Sequence, residues 1–121
     1  MERIAQFRKS MRHALRGLIY ALRNEKNFQN ELVAAALVFG AMFYFGVTRG
    51  ESVVLILVIS GVLLAELMNT VLERVVDILK PRVHPYIRVV KDMMAAGVLL
   101  VSLMAIIIGF LIFYPYIIEK F

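Results

Sequence analysis

Glu66, Asn69, Thr70, Glu73 and Asp77 recur at spacings of three and four residues or close to them. That is the repeat of one face of an α-helix. Three carboxylates, a carboxamide and a hydroxyl therefore share one stripe. Leu67, Met68, Val71, Leu72, Val75 and Val76 fill the opposite side. The stripe runs on directly from the uncharged stretch Val53 to Leu64. A carboxylate at the edge of hydrocarbon is costly, so a functional site is the default reading. Two chemistries suit such groups. One is accepting a proton from a hydroxyl at membrane depth, and the other is holding a hard cation such as Mg²⁺ through oxygen ligands. For Glu73 and Asp77 there is a plainer alternative, a solvated helix end paired with Arg74 or Lys80.

The membrane setting follows from composition. Of 121 residues, 61% are hydrophobic and only 19% charged, too apolar for a soluble domain of this size. No cysteine is present, which excludes a disulfide frame, a thiolate zinc site and thiol chemistry. The net charge of +5 is gathered in two clusters. One comprises Arg3, Arg8, Lys9, Arg12, Arg16, Arg23 and Lys26, and the other Arg74, Lys80, Arg82, Arg88 and Lys91. A basic segment joined to membrane spans argues for anionic lipid headgroups rather than nucleic acid as its partner.

An all-α membrane protein is expected from this pattern, with one surface helix and three transmembrane helices. Residues 1–30 place Ile4, Phe7, Met11, Leu15, Leu18 and Leu22 at helical spacing among basic side chains. This is the pattern of an amphipathic helix lying in the interface. Its apolar residues form no continuous core, unlike a cleaved signal. Spans are expected at 31–48, 52–72 and 93–118, the last ending in the belt-like Tyr114-Pro115-Tyr116. Thr48 to Glu51 reads as a tight polar turn, and Lys80 to Pro85 as a loop whose prolines stop the second span. The positive-inside rule puts the N-terminus and this loop in the cytoplasm. No internal repeat or low-complexity tract is evident.

Depth then separates the carboxylates. Glu66 lies thirteen residues after Val53, roughly 20 Å along a helix. That approaches the inner boundary of a hydrocarbon core about 30 Å thick. Glu73 lies roughly 10 Å further toward the cytoplasm. One carboxylate is therefore at the level of lipid hydroxyls. The next is where a water-soluble substrate can bring phosphates and a metal.

These residues resemble the prokaryotic diacylglycerol kinase family, small integral-membrane lipid kinases that include undecaprenol kinases. The resemblance rests on Glu66-Leu-Met-Asn69-Thr70-x-x-Glu73-x-x-x-Asp77, on His84-Pro85 and on Lys91-Asp92-x-x-Ala95-Ala96-Gly97-Val98-Leu99. Phe7-x-x-Ser10, Gly17 and Asn24-Glu25-x-x-Phe28 extend it over nearly the whole chain. It implies transfer of the γ-phosphate of MgATP to a lipid hydroxyl, diacylglycerol or undecaprenol. It also implies a homotrimer with sites shared between subunits, in the bacterial inner membrane. By position, Glu66 matches the catalytic base and Asn69 the polar residue beside it. Glu25 and Glu73 match the metal-nucleotide carboxylates, Lys91 and Asp92 the nucleotide-binding pair, and His84 a loop contact to the nucleotide. His13 is counted with the nucleotide positions and stands where the diacylglycerol enzymes carry Tyr. Leu15 replaces a Trp and Gln6 an Arg. His84-Pro85 and Ala95-Ala96-Gly97 lean toward the undecaprenol kinases, and Asn30-Glu31 toward the diacylglycerol kinases. No phosphate-loop or kinase glycine-loop motif is present, so ATP use is implied by the family alone.

Two other classes were weighed against this. An ion or proton transporter also needs carboxylates in a span, but it needs polar groups through the full depth. The outer half of the second span offers only Ser60, the first span no polar side chain apart from Tyr44, and the third offers Ser102, which leaves no obvious path. A non-enzymatic scaffold accounts for Ala34, Ala35, Ala36 and Gly40 as packing residues, but not for the stripe.

Overall fold

The computed structural model describes residues 1–79 and 85–121, and the described residues form four helices without a strand. They are α1 (Glu2–Asn24), α2 (Lys26–Phe45), α3 (Arg49–Leu79) and α4 (Pro85–Lys120). The last three are long and apolar enough to cross a membrane, so the protein is a multi-pass membrane protein with an amphipathic helix in front. α3 packs most heavily on α4, less on α2, and α1 leans on α2.

The surface helix ends earlier than its periodicity suggests. Glu25 is extended, with φ −108° and ψ 107°, and breaks the helix between Asn24 and Lys26. Two carboxamides make the break possible, because a helix end leaves carbonyls without partners. Asn24 Nδ2 donates to the carbonyl of Tyr20 at 2.9 Å, and Gln29 Nε2 reaches back to that of Leu22 at 2.8 Å. Ala21 and Phe28 are buried on either side of this elbow.

The connection between α2 and α3 is also shorter than a turn at Thr48 to Glu51. Gly46 adopts the left-handed conformation (φ 63°, ψ 51°) in which a residue without Cβ is unstrained. Its N–H and that of Val47 both donate to Met42 O, at 3.0 and 3.3 Å. Thr48 then caps α3, so Arg49, Gly50 and Glu51 belong to its first turn. Glu51 N donates to Thr48 Oγ1 at 3.1 Å and Thr48 N to Glu51 Oε1 at 2.9 Å, a reciprocal capping box. Glu51 also accepts from the Tyr116 hydroxyl of α4. Phe45 lies against Phe113 and Tyr116, and Lys120 Nζ sits 4.3 Å from the Tyr44 ring. This aromatic clasp ties the end of α4 to the α2–α3 connection.

α4 begins at Pro85, where a missing N–H costs nothing, and so includes the charged residues Arg88, Lys91 and Asp92 ahead of its apolar part. α3 has 31 residues, roughly 46 Å at 1.5 Å each, and it outruns a hydrocarbon core of about 30 Å. Its buried residues are Leu55, Val62, Glu66, Asn69 and Val76. They form one seam at spacings of seven, four, three and seven, and two polar side chains stand in the middle of it.

Candidate active site

Glu66 and Asn69 are the buried polar residues among those described, at 4% and 8% exposure. Their burial follows from the seam. They continue the face that Val62 and Leu55 occupy one and three turns before Glu66, so the packing that buries the apolar residues also buries them. Thr70 Oγ1 donates to the carbonyl of Glu66 at 3.0 Å. That bond holds the Thr hydroxyl against its own helix.

The Glu66 carboxylate has Asn27 as a hydrogen-bonding neighbour and feels the charges of Glu31, Glu73 and Glu25. Asn27 and Glu31 are four residues apart at the head of α2, hence on one face. Glu25 is at the elbow and Glu73 two turns along α3. The elbow is what brings them together, since a surface helix continuous to residue 30 would carry Glu25 elsewhere. Asn69 links the buried and exposed halves of the stripe. Its Nδ2 donates to Glu73 Oε1 at 3.4 Å, whereas its Oδ1 is buried without a hydrogen-bond partner. A buried acceptor without a donor costs about 1–3 kcal/mol, which leaves that oxygen suited to a proton-bearing group or a cation from outside the chain.

Two ion pairs flank the cluster. Arg74 pairs with Glu25 across the elbow, and Lys91 Nζ lies 3.4 Å from Asp77 Oδ1, joining α4 to α3. Glu73, Arg74 and Asp77 are exposed. Thus the stripe passes from a buried carboxylate to a ring of exposed charges within three turns.

Of the residues singled out from sequence, Glu25, Glu66, Asn69 and Glu73 are gathered here, and Lys91 joins them through Asp77. Asp92 is exposed at the same end of α4, and His13 is exposed on α1. His84 lies outside the described residues. Asn27, Glu31 and Arg74 were not named as site residues from sequence. The signal for the first two is their i, i+4 spacing; Arg74 has none without the elbow.

Residues 12–113 match the family described as Prokaryotic diacylglycerol kinase. A protein named Undecaprenol kinase from Bacillus subtilis (strain 168) is 36% identical over 110 residues, covering 91% of this chain and 89% of its own. One named Diacylglycerol kinase from Haemophilus influenzae is 33% identical over 109 residues, covering 87% and 90%. Another of that name, from Synechocystis sp., is 32% identical over 107 residues, covering 88% and 61%. A family match spanning the elbow, the buried pair and the charged ring coincides with the geometry just described: this chain belongs to the prokaryotic diacylglycerol kinase family.

Proposed function

We propose that the protein is an ATP-dependent lipid kinase that moves the γ-phosphate of MgATP to the hydroxyl of a membrane lipid, diacylglycerol or undecaprenol. The observation that carries this is Glu66. It is a carboxylate buried at the depth of lipid hydroxyls, on a helix that continues without a break to exposed Glu73. A proton acceptor and a hard-oxygen ligand are thereby held on one rigid rod, a few turns apart. Family membership supports the same chemistry.

In this reading Glu66 accepts the proton of the lipid hydroxyl as its oxygen attacks the γ-phosphorus. The new O–P bond forms in line with the breaking bond to the β-phosphate, and ADP leaves. Asn69 holds Glu73 and turns its free Oδ1 into the site. Lys91 offers positive charge to the phosphates, with Asp77 and Asp92 to orient it.

The residues present fit Mg²⁺. Glu25 and Glu73 are hard oxygen donors, and the unpartnered Asn69 oxygen lies beside Glu73. Among the described residues no group of three or more His, Asp or Glu side chains converges to hold a metal unaided. That suits an ion that keeps waters and takes phosphate oxygens along with one or two carboxylates. When bound, Mg²⁺ neutralises charge on the transferring phosphoryl group.

The lipid tail has a place to lie. A cavity of about 400 Å³ runs between α2, α3 and α4 from Glu31 past Val38, Val62 and Ala105 to Phe113. Its walls are almost wholly aliphatic and accept either hydrocarbon. The basic end of the chain faces the cytoplasm of a bacterial inner membrane. α4 buries none of its side chains and exposes Ala95, Ala96 and Gly97. A face of that kind lets helices approach closely, consistent with a homotrimer.

The test is incubation of the purified protein with γ-labelled ATP and either diacylglycerol or undecaprenol in vesicles. Label is expected in the phosphorylated lipid, and the preferred acceptor names the substrate. No transfer to either lipid would end this reading.

A further inference from the structure

Arg74 is held at the elbow by charge, with its side chain largely exposed. It follows Glu73 on α3, and its guanidinium donates to Glu25 across the elbow. The two side chains differ in surroundings: that of Glu25 is 16% exposed, that of Arg74 57%. The carboxylate is lodged between helices, and the guanidinium reaches it from the open side. A guanidinium has five N–H donors in a fixed fork. The bond to Glu25 engages one terminal nitrogen, so donors remain on the exposed flank for a second acceptor.

Charge points to what that acceptor is. Glu25 is bonded to Arg74, which follows Glu73 directly, and Glu66 lies two turns earlier on the same helix. Tyr20 and Asp77 add negative potential or oxygen acceptors around Arg74. Lys91 approaches from the α4 side, 3.4 Å from Asp77 Oδ1. A triphosphate approaching these carboxylates meets negative charge, and Arg74 is a cation already seated among them.

We propose that Arg74 is a phosphate-binding residue that Glu25 holds in reserve. In the empty site the guanidinium occupies the Glu25 oxygens. On arrival of the metal–nucleotide complex the pair parts, Glu25 turns to the metal, and the guanidinium forks onto phosphate oxygens. Each partner exchanges one charged neighbour for another, so neither is left buried and unpaired. A long side chain on a rigid helix makes the exchange by rotamer change alone. Arg suits the second position because its planar fork matches two phosphate oxygens at once. The inference rests on the kinase activity proposed above.

Binding to the intact, detergent-purified chain tests it without reference to turnover. Affinity for a non-hydrolysable ATP analogue with Mg²⁺ is measured by calorimetry. Mn²⁺ binding without nucleotide is measured by electron paramagnetic resonance. Melting temperature is recorded beside both. Arg74→Gln should weaken the analogue roughly tenfold, the scale of one charge-assisted hydrogen bond. The same change should tighten Mn²⁺ binding, because Glu25 is released. Arg74→Lys keeps the charge but lacks the fork, and should fall between the two in analogue affinity. It also serves as the arm to read if Arg74→Gln does not fold. Unchanged analogue affinity in a folded variant overturns the proposal. So does a parallel loss of analogue, Mn²⁺ and melting temperature, which would make the pair a brace for the elbow. Wild-type protein that binds no analogue defeats the kinase activity itself, and this inference with it.

Discussion

Glu66 could shed its burial cost by becoming Gln, yet the chain keeps an ionisable group in its apolar seam. Under the proposed activity the reason is proton acceptance, which Gln cannot perform. Glu66→Gln is nearly isosteric, so folding and nucleotide binding should persist. Turnover should fall by at least ~100-fold, the lower range for a lost general base. A folded variant with substantial turnover would remove Glu66 from that role. Glu25 and Glu73 are separated from it by a different readout. Changing either to Gln should raise the Mg²⁺ concentration needed for half-maximal activity. An unchanged midpoint in both would return Glu73 to a solvated helix end and Glu25 to a structural partner of Arg74. At this scale the sequence was legible for Glu66, Asn69 and Glu73, because helical periodicity alone sets them on one stripe. It was silent on Arg74, because a cation beside a carboxylate on an exposed helix end looks the same whether its partner is a neighbour in sequence or across an elbow.

Among the elements, the three spans could be read from hydropathy, but their ends could not. Hydropathy sees only the apolar middle, so the charged first turns of α4, from Pro85 to Asp92, fall outside the span expected at 93–118. The amphipathic repeat of α1 runs on past Glu25 in sequence. At its end Gln29 reaches back to the Leu22 carbonyl, left over by the last turn, and Asn24 adds a bond to the Tyr20 carbonyl, which periodicity does not register. The clasp at the other end was visible in pieces, as Tyr116 and Glu51, with nothing to join them. It allows a comparison of variants. Tyr116→Phe removes only the bond from α4 to Glu51 and should lower the melting temperature by a few degrees. Glu51→Ala also removes the reciprocal cap at Thr48 and should lower it further. Neither should alter transfer to lipid, since the clasp is far along α3 from Glu66. A clear drop in turnover at temperatures where both variants are folded would show that the clasp reaches the site.

As a whole molecule, one chain sets Glu25 beside the charged end of α3 through its pair with Arg74, and under the proposed homotrimer a neighbouring subunit completes the site. Mixing Glu66→Gln chains with Glu25→Gln chains should then restore some activity in verified mixed oligomers. No recovery would mean that each site is built within one chain. The sequence carried no information on this, because contact between an elbow and a helix three turns from its middle is set by packing alone.

The length of α3 has a further consequence. A rigid rod anchored at one membrane face by the Thr48 cap holds its buried carboxylate at a fixed altitude in the bilayer. Such a protein is a depth gauge: it selects a hydroxyl by where it floats as well as by what bears it. Thickening or thinning the bilayer with longer or shorter acyl chains should then reduce turnover on either side of an optimum, at constant acceptor fraction. The same fixed altitude disposes of the product. Once the hydroxyl carries a phosphate, its headgroup belongs in water, and hydration lifts it past Glu73 and away. Under the proposed activity, the membrane that delivers the acceptor thus also discharges the product.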